Sequence, residues 1–182
     1  MQYTDEQLVQ QCQQPEQQQQ AFTAIVTKYQ QKLYWHIRRM VILHDDANDV
    51  VQNTFVKAWR GLPKFRGDSQ LYTWLFRIAN NESLTHLAQQ KKHNNTIVLN
   101  DTVTNLTEAI QATENFDAQK LEWKLQLAIQ QLPDKQRSVF NLRYYDVMPY
   151  EEMSQVLQTS VGALKASYHF AAKKIEAYLL AD

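Results

Sequence analysis

The chain has 182 residues, with only three glycines, four prolines and one cysteine, and its formal net charge at pH 7 is zero. Such a composition favours an almost entirely helical protein of one large or two small domains. It argues against a protein that grips duplex DNA strongly by itself, and the single cysteine, Cys12, cannot form an internal disulfide. No apolar run is long enough to span a membrane and no signal-peptide pattern is present, so we expect a cytoplasmic protein without membrane insertion.

The charges divide the chain into three parts. Residues 1–92 contain 11 Lys and Arg against 8 Asp and Glu, residues 93–117 contain none against four, and residues 118–182 contain eight against seven. Residues 91–117 also hold five Asn and five Thr. Because an irregular connection of this length is unusual inside a compact domain, we predict two small all-α domains, residues 1–92 and 117–182, joined by a linker over 93–116.

The N-terminal part shows three helical patterns before its most informative stretch. The first covers residues 1–14, with Thr4 or Asp5 as its cap. The second covers about residues 21–40 and ends with two arginines, which suit the negative end of a helix dipole. The third begins in the acidic cluster 45–49 and ends at Gly61 and Pro63.

The stretch 65–81 reads FRGDSQLYTWLFRIANN and is predicted to be a turn followed by a helix. Gly67 can adopt the positive φ of a tight turn, and Asp68 or Ser69 can cap the helix. Apolar residues recur with helical spacing and define a buried face: Leu71, Trp74, Leu75, Ile78 and Ala79. The opposite face, which we expect to be exposed, carries Thr73, Phe76, Arg77 and Asn80.

This stretch combines aromatic rings, a guanidinium and amides with a basic turn that contains Lys64 and Arg66. Rings stack on unpaired bases, cations follow phosphates and amides read base edges, so the combination suits single-stranded nucleic acid. The alternative is an ordinary amphipathic helix with a polar outer face. After Glu82 the apolar pattern shifts phase, with Leu84 and Leu87 on the former outer side. Either the helix touches a second surface there, or it bends.

The C-terminal part predicts four helices. A helix from Asp117 to about residue 131 is broken by Pro133, and Asp134 lies in the first turn of the next. Pro149 suits the first position of a third helix, and Ser160 caps a final helix that runs from 161 to about 179. In the first of these helices one face is shared by Leu121, Leu125, Ala128, Ile129 and Leu132.

The last two helices are separated by the three-residue turn 158–160. A short helix, a tight turn and a longer helix form the helix-turn-helix arrangement, whose second helix enters the DNA major groove. A plain helical hairpin in a bundle is the alternative. The final helix should bury Val161, Leu164, Tyr168, Ala171, Ile175 and Leu179. Its outer face carries Ala163, Ala166, Ser167, Phe170, Lys173 and Lys174.

Two segments together resemble the extracytoplasmic-function (ECF) sigma factors of the sigma-70 family. The first, DDANDVVQNTFVKAWRGLPKFRGDSQLYTWLFRIANN, is similar to region 2, and the second, LPDKQRSVFNLRYYDVMPYEEMSQVLQTSVGALKASYHFAAKKI, is similar to region 4. They occur in the right order, with a linker of suitable length between them.

The resemblance implies that region 2 binds core RNA polymerase and opens the promoter −10 element, and that region 4 reads the −35 element. The positions matching the polymerase contacts are Asp46, Asp49, Gln52 and Asn53. Those matching the −10 contacts are Lys64, Phe65, Arg66, Asp68, Ser69, Tyr72, Trp74, Arg77, Asn80 and Asn81. The −35 candidates are Ser160, Lys165, Ser167, His169, Lys173 and Lys174. The implied partners are core RNA polymerase and promoter DNA, with an anti-sigma factor as a further expectation.

The recognition helix departs from the common family pattern. Many relatives carry arginines along it, whereas this chain has Ser167, Phe170 and Ala172, and Gln158 stands where glycine is frequent in the turn. With few guanine contacts available, we predict readout through thymine methyl groups and phosphate positioning. Trp74 has two interpretations, since its phase also places it at the edge of the core.

Three other functions compete with this interpretation. An enzyme is disfavoured because the five histidines lack metal-ligand spacing and no P-loop, dinucleotide fingerprint or nucleophile motif is present. We therefore expect no catalytic residue, metal or cofactor. A free-standing helix-turn-helix regulator would bind duplex DNA without polymerase. A helical adaptor would leave the rings and arginines near Gly67 without a purpose.

Overall fold

The computed structural model describes residues 3–93 and 117–181, which contain eight α-helices. They are α1 (Asp5–Cys12), α2 (Gln18–Val41), α3 (His44–Gly61), α4 (Leu71–His93), α5 (Asp117–Gln130), α6 (Asp134–Tyr144), α7 (Tyr150–Leu157) and α8 (Val161–Leu180). A single 3-10 turn, Leu62–Lys64, follows α3. Helices α1–α4 form what we call the N-terminal lobe, and α5–α8 the C-terminal lobe. The predicted all-α class is confirmed, whereas the predicted linker lies outside the described residues except at its first position.

The N-terminal lobe is a bundle in which α2, α3 and α4 pack on one another and α1 packs across α2. Thr4 forms a capping box with Gln7: the Thr4 hydroxyl accepts from the Gln7 N–H, and the Gln7 side chain accepts from the Thr4 N–H. Of the two predicted caps, Thr4 is therefore the one used. Ile25, Leu33 and Leu75 are fully buried, and the lone cysteine is a buried core residue.

The junction between α2 and α3 is strained. Ile42 has φ 69° and ψ −54°, and the Leu43 N–H donates to the Val41 carbonyl at 2.8 Å. This is the geometry of a classic γ-turn, which is rare and energetically unfavourable for a β-branched residue. The turn ends α2 sharply and directs the chain into α3.

The connection between α3 and α4 contains the predicted turn with a positive φ at Gly67. Gly67 has φ 77°, a conformation that L-residues rarely adopt. Helix α4 begins at Leu71, so Asp68 and Ser69 lie in the preceding turn, where Asp68 pairs with Arg66 at 3.1 Å. The helix then continues unbroken to His93 and packs against α7 of the other lobe. After Glu82, Leu87 is buried in the main apolar cluster and Leu84 packs against it, so both residues of the shifted apolar pattern contact the core.

The C-terminal lobe packs α5 and α6 against α8, with Ile129, Phe140 and Ile175 in its core. Leu121 belongs to the apolar face predicted for α5, but its side chain is 58 % exposed. From Leu121 onward, burial on α5 begins near Leu125, so the turn around Leu121 lies outside the part of the helix that the other helices cover.

Helices α7 and α8 have the predicted helix-turn-helix geometry. Gln158 ends α7 in the left-handed conformation, with φ 51° and ψ 45°, which explains why glycine suits this position. The Ser160 side chain then caps α8 by accepting from the Ala163 N–H at 3.3 Å. Pro149 immediately precedes α7 instead of being its first helical residue. The buried face of α8 is the one predicted, with Leu164, Ala171 and Ile175 at its centre.

The two lobes contact each other directly. Helix α6 packs against α2, and α7 packs against α4. A single apolar cluster continues from Leu75 and Phe76 in the N-terminal lobe to Met153 and Val156 in the C-terminal lobe. Over the described ranges, no helix combines the length and apolar character needed to cross a bilayer.

Candidate polymerase and nucleic-acid interfaces

The turn before α4 is a basic, ring-bearing edge. Lys64 and Arg66 are exposed, and the Phe65 and Trp74 rings lie 5.0 Å apart between centroids. The Gln13 side chain donates to the Phe65 carbonyl at 3.1 Å, so α1 supports the turn. This arrangement places cations and a ring at the mouth of a groove, as single-stranded nucleic acid requires.

That groove is a cleft of ≈ 510 Å³ between the turn and α7. Its walls include Lys64, Phe65, Arg66, Asp68, Ser69, Trp74 and Arg77 from the N-terminal lobe and Ser154, Gln155 and Gln158 from the C-terminal lobe. Seven of the ten predicted −10 positions therefore line one cavity. Asn81 is exposed farther along α4.

Trp74 is half-buried and contacts both the core and the cleft. A Cβ built on Gly61 would lie 2.9 Å from its ring, so the indole rests against the end of α3. Its other neighbour is the Phe65 ring. One part of the Trp74 side chain therefore packs on the core, and another part is available to DNA in the cleft.

The outer face of α4 is not exposed as predicted. Thr73 is 2 % exposed, Phe76 1 % and Asn80 1 %. The physical reason is that α2, α3 and α7 all pack on α4, and the Phe76 ring lies 5.1 Å from the His36 ring of α2. Helical periodicity cannot show such contacts between distant parts of the chain. Asn80, a predicted −10 residue, is therefore covered in this arrangement, whereas Arg77 stays half-buried at the cleft.

Tyr72 lies at the border of that covered face. Its ring is 6.3 Å from the Tyr29 ring, and the Lys32 ammonium lies 6.0 Å from its centroid. Burial raises the pKa of the Tyr72 phenol, and the nearby carboxylates of Asp146 and Glu152 raise this pKa further.

The predicted polymerase-binding residues form an exposed stripe along α3, with one exception. Asp49, Gln52 and Asn53 are exposed. Asp46 is half-buried and engaged within the lobe, because it accepts from Gln90 at 2.7 Å and lies 3.4 Å from the His86 ring nitrogen.

Two exposed apolar residues on α3 extend this stripe and were not predicted. Val56 is 41 % exposed and Trp59 37 % exposed. They follow Asp49, Gln52 and Asn53 at helical intervals, so they belong to the same side of α3. The available signal was a large apolar residue in phase with polar ones, which is typical of a protein-binding surface.

The predicted −35 residues lie along α8, and most are exposed. Ser160, Lys165, His169, Lys173 and Lys174 are exposed, and Ser167 is half-buried. Two are already engaged: the Ser160 hydroxyl caps the helix, and Lys174 donates to Gln136 at 3.0 Å. Phe170 is 57 % exposed among them. It is a further ring available to thymine methyl groups, although it was not among the predicted −35 residues.

An all-α chain that joins a C-terminal helix-turn-helix to a basic, aromatic-lined groove has the architecture of a DNA-binding protein. The family models agree: Sigma-70 region 2 matches residues 25–93, and Sigma-70, region 4 matches residues 122–175.

Similar proteins cover nearly the whole chain. The RNA polymerase sigma-H factor of Pseudomonas aeruginosa is 32 % identical over 179 residues, which is 94 % of this chain and 92 % of that protein. The ECF RNA polymerase sigma-E factor of Haemophilus influenzae is 31 % identical over 182 residues, or 96 % and 95 % of the two chains. The solved structure of CnrH in complex with the cytosolic domain of CnrY matches with a TM-score of 0.71 and 27 % identity over 98 % of both chains. The chain belongs to the sigma-70 family as a sigma factor of the ECF group.

Proposed function

We propose that this sigma factor binds core RNA polymerase through the N-terminal lobe and directs it to promoters, opening the −10 element with α4 and its preceding turn and reading the −35 element with α8. The observation that carries this proposal is the pairing of two surfaces on one chain. A basic turn with two adjacent aromatic rings suits unpaired bases, and an exposed recognition helix suits duplex DNA.

The α3 stripe is the proposed polymerase contact. Asp49, Gln52 and Asn53 present polar groups, and Val56 and Trp59 supply the apolar area that a stable protein interface needs. Asp46 contributes differently, because its bonds to α4 orient the start of α3. We therefore assign direct polymerase contact to the five exposed residues of the stripe, Asp49, Gln52, Asn53, Val56 and Trp59.

The energetics of strand opening favour a surface with rings. Unstacking DNA costs a few kcal/mol per step, and stacking of a base on an aromatic side chain returns about 1–3 kcal/mol. Phe65 shares its cleft with Arg66 and Arg77, and the Lys32 ammonium lies near the Tyr72 ring. These rings and cations can therefore offset melting without nucleotide hydrolysis. Core polymerase supplies the remaining affinity, which agrees with the zero net charge of the chain.

The −35 surface is proposed to act mainly through shape and methyl contacts. The exposed first half of α8 carries small residues, and Lys173 and Lys174 follow in its second half. Lysines there position the helix on phosphates, while Ala166 and Phe170 can contact thymine methyl groups. A duplex rich in A·T pairs in the −35 element is the expected preference.

The remaining expectations on location and partners are part of the same proposal. The sigma factor acts in the cytoplasm with residues 93–116 as a linker and without catalytic activity of its own. An anti-sigma factor is the expected inhibitory partner, which is supported by the complex of CnrH with the cytosolic domain of a second protein.

Run-off transcription with purified core RNA polymerase on genomic promoter fragments tests the proposal. Transcripts with defined start sites, together with permanganate-reactive thymines near −10, are expected only when the chain is added. Val56→Glu combined with Trp59→Glu should abolish transcription by blocking polymerase binding, whereas Glu176→Ala should not. A free-standing regulator would instead bind duplex fragments without core enzyme and give no such transcripts.

A further inference from the structure

A cavity of ≈ 350 Å³ lies between α2, α5 and the residue that follows α6, and we call it the junction pocket. Its volume is in the range of small-molecule sites. Trp35, Arg38 and Arg39 line it from α2, and Trp123 and Gln130 line it from α5. None of its lining residues belongs to the α3 stripe, the −10 positions or the −35 positions. The function proposed above therefore makes no use of this pocket.

Three aromatic side chains line the junction pocket. Trp35 is 49 % exposed on α2, whereas Trp123 on α5 and Tyr145 after α6 are half-buried. Indole and phenol rings present flat, polarisable faces on which a planar heterocycle can stack. The pocket is therefore suited to an aromatic ring system.

Two guanidinium groups line the same pocket. The Arg39 guanidinium lies 4.2 Å from the centroid of the Tyr145 ring and 3.7 Å from an oxygen of Asp146. The ring holds this guanidinium in place, and the carboxylate is too far away for a normal hydrogen bond. Within the described ranges, Arg38 forms no ion pair. Since a guanidinium can bind a phosphate through two parallel hydrogen bonds, two adjacent arginines suit two linked phosphates.

The carbonyl groups at the end of α2 do not compete for these two guanidinium groups. Arg137 donates to the Met40 carbonyl at 3.0 Å, and Gln130 and Asn141 donate to the Arg39 carbonyl at 3.3 and 3.5 Å. The last carbonyls of a helix have no partner within the helix. Donors from the C-terminal lobe therefore cap α2, and this leaves the side chains of the two pocket arginines to a ligand.

Gln130 offers an acceptor at the pocket. Its Nε2 is engaged by the Arg39 carbonyl, which fixes the amide, and its Oε1 is buried without a hydrogen-bond partner in the part of the chain that the structure describes. A buried acceptor without a partner is costly, and a donor on a ligand would remove that cost. The exocyclic amino groups of adenine and guanine are such donors.

We propose that the junction pocket binds a purine nucleoside diphosphate. The base stacks on the three aromatic side chains, its amino group donates to Gln130 Oε1, and Arg38 and Arg39 bind the phosphates. Glu122 lines the pocket from α5, where a carboxylate suits the ribose hydroxyls and not the phosphates. The ligand thus contacts α2 of one lobe and α5 of the other. This inference goes beyond the function proposed above and does not depend on it.

Isothermal titration calorimetry of the full chain with a series of ligands tests the proposal. The probes are ADP, GDP, IDP, adenosine and pyrophosphate. ADP or GDP is expected to bind, and IDP, which lacks the exocyclic amino group of both, should bind at least about fivefold more weakly. Adenosine and pyrophosphate should each bind at least about tenfold more weakly. Absence of binding by both ADP and GDP would overturn the proposal, and pyrophosphate binding as tightly as they do would refute base stacking.

Arg38→Gln tests the assigned phosphate contact, and Arg60→Gln is its matched control. Arg60 is exposed on α3 and does not line the pocket, so the control removes the same charge elsewhere. Arg38→Gln should weaken binding of the diphosphate about tenfold and leave adenosine binding unchanged, while Arg60→Gln should bind like the wild type. Equal diphosphate affinities for these two variants would contradict the phosphate contact.

Two further variants test the base contacts separately. Trp35→Leu should weaken binding of ADP or GDP about tenfold while pyrophosphate binds as before. Gln130→Met removes the acceptor, so the preference for ADP or GDP over IDP should disappear. A general loss of structure would weaken every ligand equally, and thermal unfolding without ligand checks each variant for it. A preference over IDP that persists in Gln130→Met would rule out the assigned amino contact.

Discussion

The indole of Trp74 rests against the backbone of Gly61, where an added Cβ would lie 2.9 Å from Cζ2 and 3.2 Å from Cη2. The residue at the end of α3 thereby sets the position of the ring that backs Phe65. A glycine is required here by close approach and not by its φ, which is −89°. The basic turn and its rings depend on this contact.

Replacing Gly61 by alanine should therefore destabilise the protein by about 1 kcal/mol. Overpacking costs about 1–3 kcal/mol, and the better helix propensity of alanine returns up to about 1 kcal/mol. Gly162→Ala is the matched comparison, because a Cβ there has no neighbour within 4 Å. It should stabilise by about 0.5–1 kcal/mol. Urea denaturation measures the change in unfolding free energy for each substitution. Changes of the same sign for Gly61→Ala and Gly162→Ala would contradict the packing of Trp74 on Gly61.

Gln158→Gly should stabilise the helix-turn-helix. Gln158 has a left-handed backbone, which costs a residue with a Cβ about 1–2 kcal/mol. Glycine removes this strain, but it also makes the unfolded chain more flexible, which offsets part of the stabilisation. The free energy of unfolding is therefore expected to rise by about 0.5–1 kcal/mol. Gln155→Gly, inside α7, should instead lower stability by about 1 kcal/mol. Thermal unfolding followed by circular dichroism distinguishes the two, and destabilisation by Gln158→Gly would be unexpected.

Stability should decline in alkaline solution because of two tyrosines. Burial raises the pKa of Tyr29 and of Tyr72 above the usual value, while the unfolded phenols titrate near pH 10. Above about pH 10 the unfolded chain releases these protons first, so it binds fewer protons than the folded chain and stability falls as pH rises. The stabilising effect is fully present below that pH.

Tyr72→Phe and Tyr29→Phe should each flatten this alkaline decline when unfolding free energies at about pH 8 and pH 11 are compared. Tyr29→Phe also removes the hydroxyl that donates to Asp5, so it should cost about 1 kcal/mol at neutral pH. Tyr178→Phe, which removes an exposed hydroxyl, is the control. An unchanged pH profile in the double variant would disprove the role of these phenols.

Lysines on α8 should set the salt dependence of −35 binding. With Lys173 and Lys174 both replaced by alanine, binding of a duplex promoter fragment should weaken, and the slope of log K against log salt should drop by about 2 in magnitude. Lys124→Ala with Lys135→Ala removes the same charge from exposed positions on α5 and α6. Fluorescence anisotropy at several salt concentrations measures the slope, and identical slopes for the two double variants would rule out the assigned phosphate contacts.

Local signals predicted most of the helices and their ends. The period of 3.6 residues located the buried face of α8, and the choice of Ser160 as a cap followed from the short hydroxyl side chain before a helical pattern. The positive φ of Gly67 was predictable for the same kind of reason, because few residues other than glycine adopt it readily.

Contacts between distant parts of the chain were not predictable in this way. Nothing in the periodicity of α4 indicates that Asn80 is buried, and nothing in α5 indicates that Leu121 extends past the core. The attachment of Asp46 to Gln90 likewise joins residues on two helices. Each of these features depends on how helices are placed in space, which single-sequence patterns leave open.

The capping of α2 by Arg137 and Asn141 has a consequence for biosynthesis. The ribosome releases α2 well before it translates α6, so the carbonyls of Arg39 and Met40 must bond to water until the later residues emerge. A nascent chain therefore displays α4 uncovered for a time, and a pause in translation between the lobes would lengthen that interval.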